Sequence, residues 1–138
     1  MGVTMRQVQT VIPDLAELGP FVGCTRDELT RLRSLLTPIP VAAGQVLIEC
    51  GAPPREFGVV ADGEVLVSGP DGDELAVLGP GAIIGELALL RDVPTGARVT
   101  SLTPAVIYVC TRREFHAMLE VSPDIDIYVS HVALARLV

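Results

Sequence analysis

The run Phe57-Gly58-Val59-Val60-Ala61-Asp62-Gly63-Glu64-Val65-Leu66-Val67-Ser68 sets two short apolar segments on either side of an Asp-Gly pair. A type I′ turn needs φ > 0 at both central positions, and Asp and Gly tolerate it, so the spacing predicts a hairpin with strands at 57–61 and 64–68. The same rhythm extends outward in both directions. Ala43-Gly44, Gly51-Ala52-Pro53-Pro54, Gly69-Pro70-Asp71-Gly72, Gly79-Pro80-Gly81 and Thr103-Pro104 cut the region from Pro38 to Cys110 into further apolar segments. These fall near 38–42, 45–50, 73–78, 82–84, 97–102 and 105–110, which makes about eight strands in roughly 70 residues, the content of a small antiparallel barrel or jelly roll.

One segment breaks the rhythm. Gly85-Glu86-Leu87-Ala88-Leu89-Leu90 is too rich in helix formers for a strand and too short for an ordinary helix, so it is expected as a single helical turn set inside the β region. Helices flank that region. Thr25-Arg26-Asp27-Glu28 has capping-box spacing, followed by Leu29, Leu32, Leu35 and Leu36 on one face, which predicts a helix over 26–36 ending at Thr37-Pro38. Thr111-Arg112-Arg113-Glu114 repeats the box before Phe115, Met118 and Leu119 and predicts a helix over 112–120. Ser122-Pro123, with Asp124 and Asp126 in the first turn, starts a last helix over 123–137. Its Ile127, Val132 and Leu134 are expected to be buried on the barrel, on a partner subunit or on both. Around Pro13, residues 5–18 read as a short, interrupted helical lead-in. The fold class is therefore mainly β with flanking α: one domain over 1–138, with a helical lead-in at 1–37, an eight-stranded antiparallel jelly-roll barrel at 38–110 and C-terminal helices at 111–138.

Composition narrows the function. Ten Lys and Arg stand against 17 Asp and Glu, a net charge of −7, which is the wrong sign for direct binding to nucleic acid. The longest uncharged apolar run, Ala105 to Cys110, has the length of a strand and is far short of the ~18–20 residues of a spanning helix. The region after Arg6 and Gln7 lacks the apolar block of a secretory signal, so no membrane span and a cytoplasmic location are expected. Cys24, Cys50 and Cys110 are odd in number and widely spaced, and are expected as reduced, mostly buried thiols.

Catalytic readings fail on inventory, and the chain is not expected to be an enzyme. The histidines, His116 and His131, both fall in the C-terminal helices, which leaves the barrel without an imidazole pair for a metal or a base for a nucleophile. The informative stretch is Gly79 to Leu90. Gly85 permits close backbone approach, the turn after it offers free N–H groups to an anion, and Glu86 can accept hydrogen bonds from a hydroxyl-bearing ligand or cap its own turn.

With the Gly51 turn, the Phe57–Val65 segment and the Gly85-Glu86-Leu87-Ala88-Leu89-Leu90 string followed by Pro94, the sequence resembles the cyclic nucleotide-binding domain family over nearly its whole length. That is the module of the catabolite activator protein, of protein kinase A regulatory subunits and of cyclic-nucleotide-gated channels. The resemblance implies a jelly roll that holds a cyclic nucleotide, cAMP before cGMP, and no cofactor. Glu86 would meet the ribose 2′-hydroxyl, and the amides of Gly85, Glu86, Leu87 and Ala88 would lie near the cyclic phosphate. Thr95 and Gly96 would stand opposite, with Val77 and Ile83 or Ile84 among the apolar walls.

This chain departs from the family pattern at one place. Where the family carries an arginine that pairs with the phosphate, the sequence reads Pro94-Thr95-Gly96-Ala97-Arg98-Val99, with Thr95 in the arginine's position. Loss of a charge-assisted hydrogen bond is worth roughly 10- to 150-fold in affinity. Strand alternation turns Ala97 and Val99 inward and Arg98 outward, so Arg98 is no evident replacement, which leaves a neutral hydrogen bond from Thr95 or a swing of Arg91 or Arg98 from its loop. Two functions follow. The domain is either a nucleotide sensor of weakened or altered affinity that repositions its C-terminal helix, or a degenerate fold used for homodimerisation or for contact with an effector protein through that helix. In the first case the chain would act in trans or form the sensing part of a longer protein.

Overall fold

The predicted strands at 57–61 and 105–110 are apolar at every position, and a long strand of that kind has to be covered on both faces. In the structure, a computed structural model that describes residues 12–137, they are the neighbouring strands β3 (Glu56–Asp62) and β8 (Ala105–Thr111). The described residues form six further strands: β1 (Thr37–Val41), β2 (Val46–Ile48), β4 (Val65–Ser68), β5 (Glu74–Leu78), β6 (Ile83–Ile84) and β7 (Arg98–Ser101). They make two antiparallel four-stranded sheets, ordered β1-β8-β3-β6 and β2-β7-β4-β5, which is the jelly-roll arrangement expected.

Alternation along β3 and β8 builds two cores. Phe57, Val59 and Ala61 with Val106, Tyr108 and Cys110 face the helices, where Leu15, Leu32, Phe115, Met118, Ile125 and Val129 cover them. Val60, Ala105 and Ile107 face the other way and pack between the sheets with Val41, Val65, Ile84 and Val99. Helices α1 (Arg26–Leu35), α3 (Arg112–Val121) and α4 (Pro123–Arg136) therefore lie on one outer face, while the β2-β7-β4-β5 sheet leaves its own outer face to solvent. Both capping boxes form as read: Thr25 and Thr111 accept from Glu28 N and Glu114 N, and each glutamate accepts from the N-cap amide. Ser122 caps α4, with Pro123 in its first turn.

The expectations for Asp62-Gly63 and for the cysteines need correction, and those for the lead-in and α4 take a more definite form. Asp62-Gly63 is not a hairpin, because β3 and β4 belong to different sheets, and Asp62 does not take the positive φ that a type I′ turn requires. The pair forms a corner that carries the chain from one sheet to the other. Gly63 alone is left-handed there, at φ 85°. The lead-in is two single 3₁₀ turns, Leu15–Glu17 and Gly19–Phe21, tied to α1 by the Arg33–Asp14 ion pair, and its part at 5–11 lies outside the described residues. On α4 the buried residues are Ile125, Val129 and Ala133, whereas Ile127 and Leu134 are 56% and 62% exposed. Among the free cysteines only Cys110 is fully buried, Cys24 and Cys50 being half-buried.

Two measurements test this account. A Cβ at Gly63 would stand 2.6 Å from the Pro104 carbonyl oxygen and 2.7 Å from Ala105 Cβ, whereas one at Gly72, also left-handed at φ 82°, meets nothing within 4 Å. Gly72→Ala is expected to cost only the ~1–2 kcal/mol of the left-handed conformation, and Gly63→Ala roughly 1–3 kcal/mol more from the clash. Equal losses in urea unfolding would remove the corner from its structural role. Burial pushes the Cys110 thiol up to about 12, so a thiol reagent at mildly alkaline pH should label Cys110 only after unfolding. Labelling of the native protein at Cys110 would contradict the packing of β8.

Candidate functional site

Strand β6 is only Ile83–Ile84, paired to Gly58 and Val59 of β3, and its end fixes where the next residues go. Gly85 follows in the left-handed region at φ 86°, where a Cβ would lie 2.5 Å from the Glu56 carbonyl oxygen, so the turn needs glycine on both counts. Helix α2 (Glu86–Arg91) begins at once. This reversal drives Glu86, its first residue, inward rather than to solvent, and the residue is only 1% exposed.

Glu86 lies at the wall of a cavity of about 440 Å³, within the size range of small-molecule sites. Gly85, Glu86, Leu87 and Ala88 form one side, Thr95, Gly96, Ala97 and Val99 another, and Ile48, Val67, Leu75, Ala76, Leu78 and Ile84 supply apolar walls. A second cavity, about 170 Å³, opens among Ile39, Val41, Val46, Ile48 and Val109 and has Glu56 as its one charged lining residue among those described. The larger cavity contains a charged pair, so it is the candidate site.

Seven of the eight residues expected at the site thus meet around one space. Val77 does not: it is 55% exposed and absent from the lining. The register pairs Val67 with Ala76 and Leu66 with Val77, so Ala76 shares the cavity face with Val67 while Val77 is turned outward. Leu75 reaches the cavity because the register slips there, between the Val67–Ala76 and Ser68–Glu74 pairs.

The polar groups are more fully engaged than the sequence implied. Thr95 Oγ1 donates to the Glu49 carbonyl oxygen at 2.5 Å and accepts from Ala52 N at 3.0 Å. Backbone bonds Gly51 N to Thr95 O and Thr95 N to Ala52 O, 2.7 and 2.9 Å, complete a clamp between the 95 loop and the Gly51 turn. The Thr95 hydroxyl is therefore committed to the scaffold. Arg98 points outward and pairs with Glu49 at 2.7 Å, which holds the Glu49 carboxyl below the usual carboxylate range. Glu86 Oε2 accepts from Leu87 N at 3.0 Å, so that amide is not open to a ligand.

Arg136, in the last turn of α4, was not anticipated. Its Nη1 donates to the Ile83 carbonyl oxygen at 2.7 Å and to Glu86 Oε1, and among the described residues it is the only cation lining the cavity. The available sequence signal was slight: Arg136 is the one Lys or Arg in the stretch from Glu114 to Val138. His116 lies edge-on to Phe115 at 5.5 Å, and neither it nor His131 lines the cavity.

A cyclic nucleotide-binding domain model matches residues 38–122, and the chain belongs to that family. The acetyltransferase Pat of Mycolicibacterium smegmatis is 39% identical over 116 residues, 82% of this chain and 35% of that protein, so the chain spans about a third of its relative's length. A solved cAMP-binding acyltransferase from Mycobacterium smegmatis superimposes with a TM-score of 0.71 at 38% identity, covering 90% of this chain and 39% of the other. The Thermus thermophilus catabolite activator protein shares the fold, with a TM-score of 0.74 at 23% identity over 86% of this chain and 58% of its own.

Burial raises the Glu86 carboxyl above its ordinary pKa, with the Arg136 guanidinium acting in the opposite sense. The folded state then holds this proton more tightly than the unfolded chain does. The resulting stability is fully present below the ordinary value of 4.5 and is lost as pH rises through the elevated one. Glu86→Gln should remove that decline, so the difference in unfolding free energy between wild type and variant should change with pH as it rises above 4.5. A difference independent of pH would mean that Glu86 titrates alike in both states.

Proposed function

We propose that this chain is the sensing domain of a cyclic-nucleotide-responsive protein, with cAMP its preferred ligand. The observation that carries the reading is the buried Glu86 carboxylate, presented by the Gly85 turn to a cavity whose remaining walls are largely apolar. Among the described residues it is the one carboxylate lining the cavity, and a ribose 2′-hydroxyl can donate to it in place of a protein partner. Gly96, where a Cβ would meet nothing within 4 Å, leaves its main chain open to a ligand, while Ile48, Val67, Leu75 and Leu78 can cover a base. Family membership supports the ligand class.

Binding is weaker than in a domain with an arginine at position 95, because Thr95 is engaged by residues 49 and 52. The signal leaves through α4, whose last turn touches Glu86 through Arg136. Such coupling works only if the ligand binds two placements of α4 with different affinity. The share of the acetyltransferase that the chain covers supports a longer protein in which this domain, itself without catalytic chemistry, controls a second unit. The exposed Ile127 and Leu134 favour a second reading, in which α4 is a dimerisation or effector surface and no nucleotide is bound.

Calorimetric titration with cAMP and cGMP separates the two. The sensor reading expects saturable cAMP binding that Glu86→Gln weakens by roughly 10-fold or more and Arg98→Ala leaves unchanged. Thr95→Arg should tighten it by up to about 100-fold, at some loss of thermal stability from the broken clamp. No heat from either nucleotide at roughly millimolar concentration, in wild type and Thr95→Arg alike, would leave the interaction reading standing.

A further inference from the structure

We propose that Arg136 is the anion-pairing residue of this cavity: the cation that cassette position 95 lacks comes instead from the last turn of α4 and moves from Glu86 to the ligand's phosphate on binding. The assignment rests on the nucleotide reading above and adds the residue that meets the charge.

The cavity needs a cation for any anionic ligand, since an anion brought beside Glu86 would be repelled by the carboxylate in a partly desolvated space. Arg55 and Arg91 do not line the cavity, and the other candidate donors are engaged. Arg98 is paired with Glu49 on the outer face, Arg112 with Asp92, and the Thr95 hydroxyl with backbone. Arg136 already lines the cavity, and only its Nη1 has partners among the described residues, Ile83 O and Glu86 Oε1. Nε and Nη2 remain as the fork that suits a phosphate oxygen pair.

The exchange is chemically balanced. In a 3′,5′-cyclic nucleotide the free 2′-hydroxyl sits on the carbon next to the one bearing the phosphate ester. A single ligand can therefore donate from the hydroxyl to Glu86 and present its anion to the guanidinium released beside it. Glu86 then keeps a hydrogen-bond donor and the guanidinium keeps an anion, whereas a neutral nucleoside supplies only the first. The final helical turn can make this move at low cost, because its last carbonyls have no intrahelical partners and Arg136 is one-third exposed. The link also gives α4 a reason to respond to ligand.

The test is calorimetry on the whole chain with cAMP and with adenosine, the uncharged comparator, across a range of salt concentrations. The expected result is that Arg136→Gln weakens cAMP by roughly 10- to 100-fold while changing adenosine little, and removes most of the salt dependence of cAMP binding. Arg136→Lys should keep the salt dependence and lose only part of the affinity, which guards against a variant that merely misfolds. If wild type binds cAMP and Arg136→Gln binds it equally well or more tightly with unchanged salt dependence, Arg136 only plugs the site and the assignment falls while the nucleotide reading stands. If wild type binds neither ligand, the nucleotide reading falls and the assignment with it.

Discussion

The adjacent strands β3 and β8 are apolar on both faces, and the rest of the molecule is arranged around that requirement. One face is covered by the second sheet and the other by α1, α3 and α4. Because the helices must lie against Phe57, Val59, Tyr108 and Cys110, α4 is held across the same end of the sheet from which β6 runs into Gly85. Packing of a hydrophobic sheet thus brings the last turn of the last helix within reach of the first residue of α2. The site follows from covering the core.

Within the site, polar satisfaction decides which groups remain for a ligand. No buried side-chain nitrogen or oxygen lacks a partner among the described residues. Thr95 and Leu87 N, both plausible ligand donors from their positions, are already bonded within the protein. Glu86 and Arg136 satisfy each other, and among the described residues they are the one charged pair lining the cavity. Opening that pair without compensation would leave a buried charge alone.

Several features were legible in the chain because their physics is local. Capping boxes at Thr25 and Thr111 depend on residues three apart, and both form. Strand segments between glycine and proline punctuation appear within a residue or two of their expected bounds, and the short helix after Gly85 breaks the β rhythm where its residues predict. Asp62-Gly63 marks a real change of direction. A dipeptide, however, carries no information on whether the next strand pairs with the previous one or crosses to the opposite sheet.

Sequence by itself determined the element types, the jelly-roll class, the Gly85 turn and the presence of Glu86 on it, since each follows from spacing, capping or backbone freedom within a few residues. Tertiary structure alone decided the rest. The facing of β5 came from its register against β4, including a slip at Leu75, which turned Ala76 inward and Val77 outward. The engagement of Thr95 came from a turn more than 40 residues away. The partner of Glu86 came from 50 residues further along the chain. Such contacts are set by how sheets and helices stack, and nothing in the local pattern around residue 86 or residue 136 encodes the distance between them.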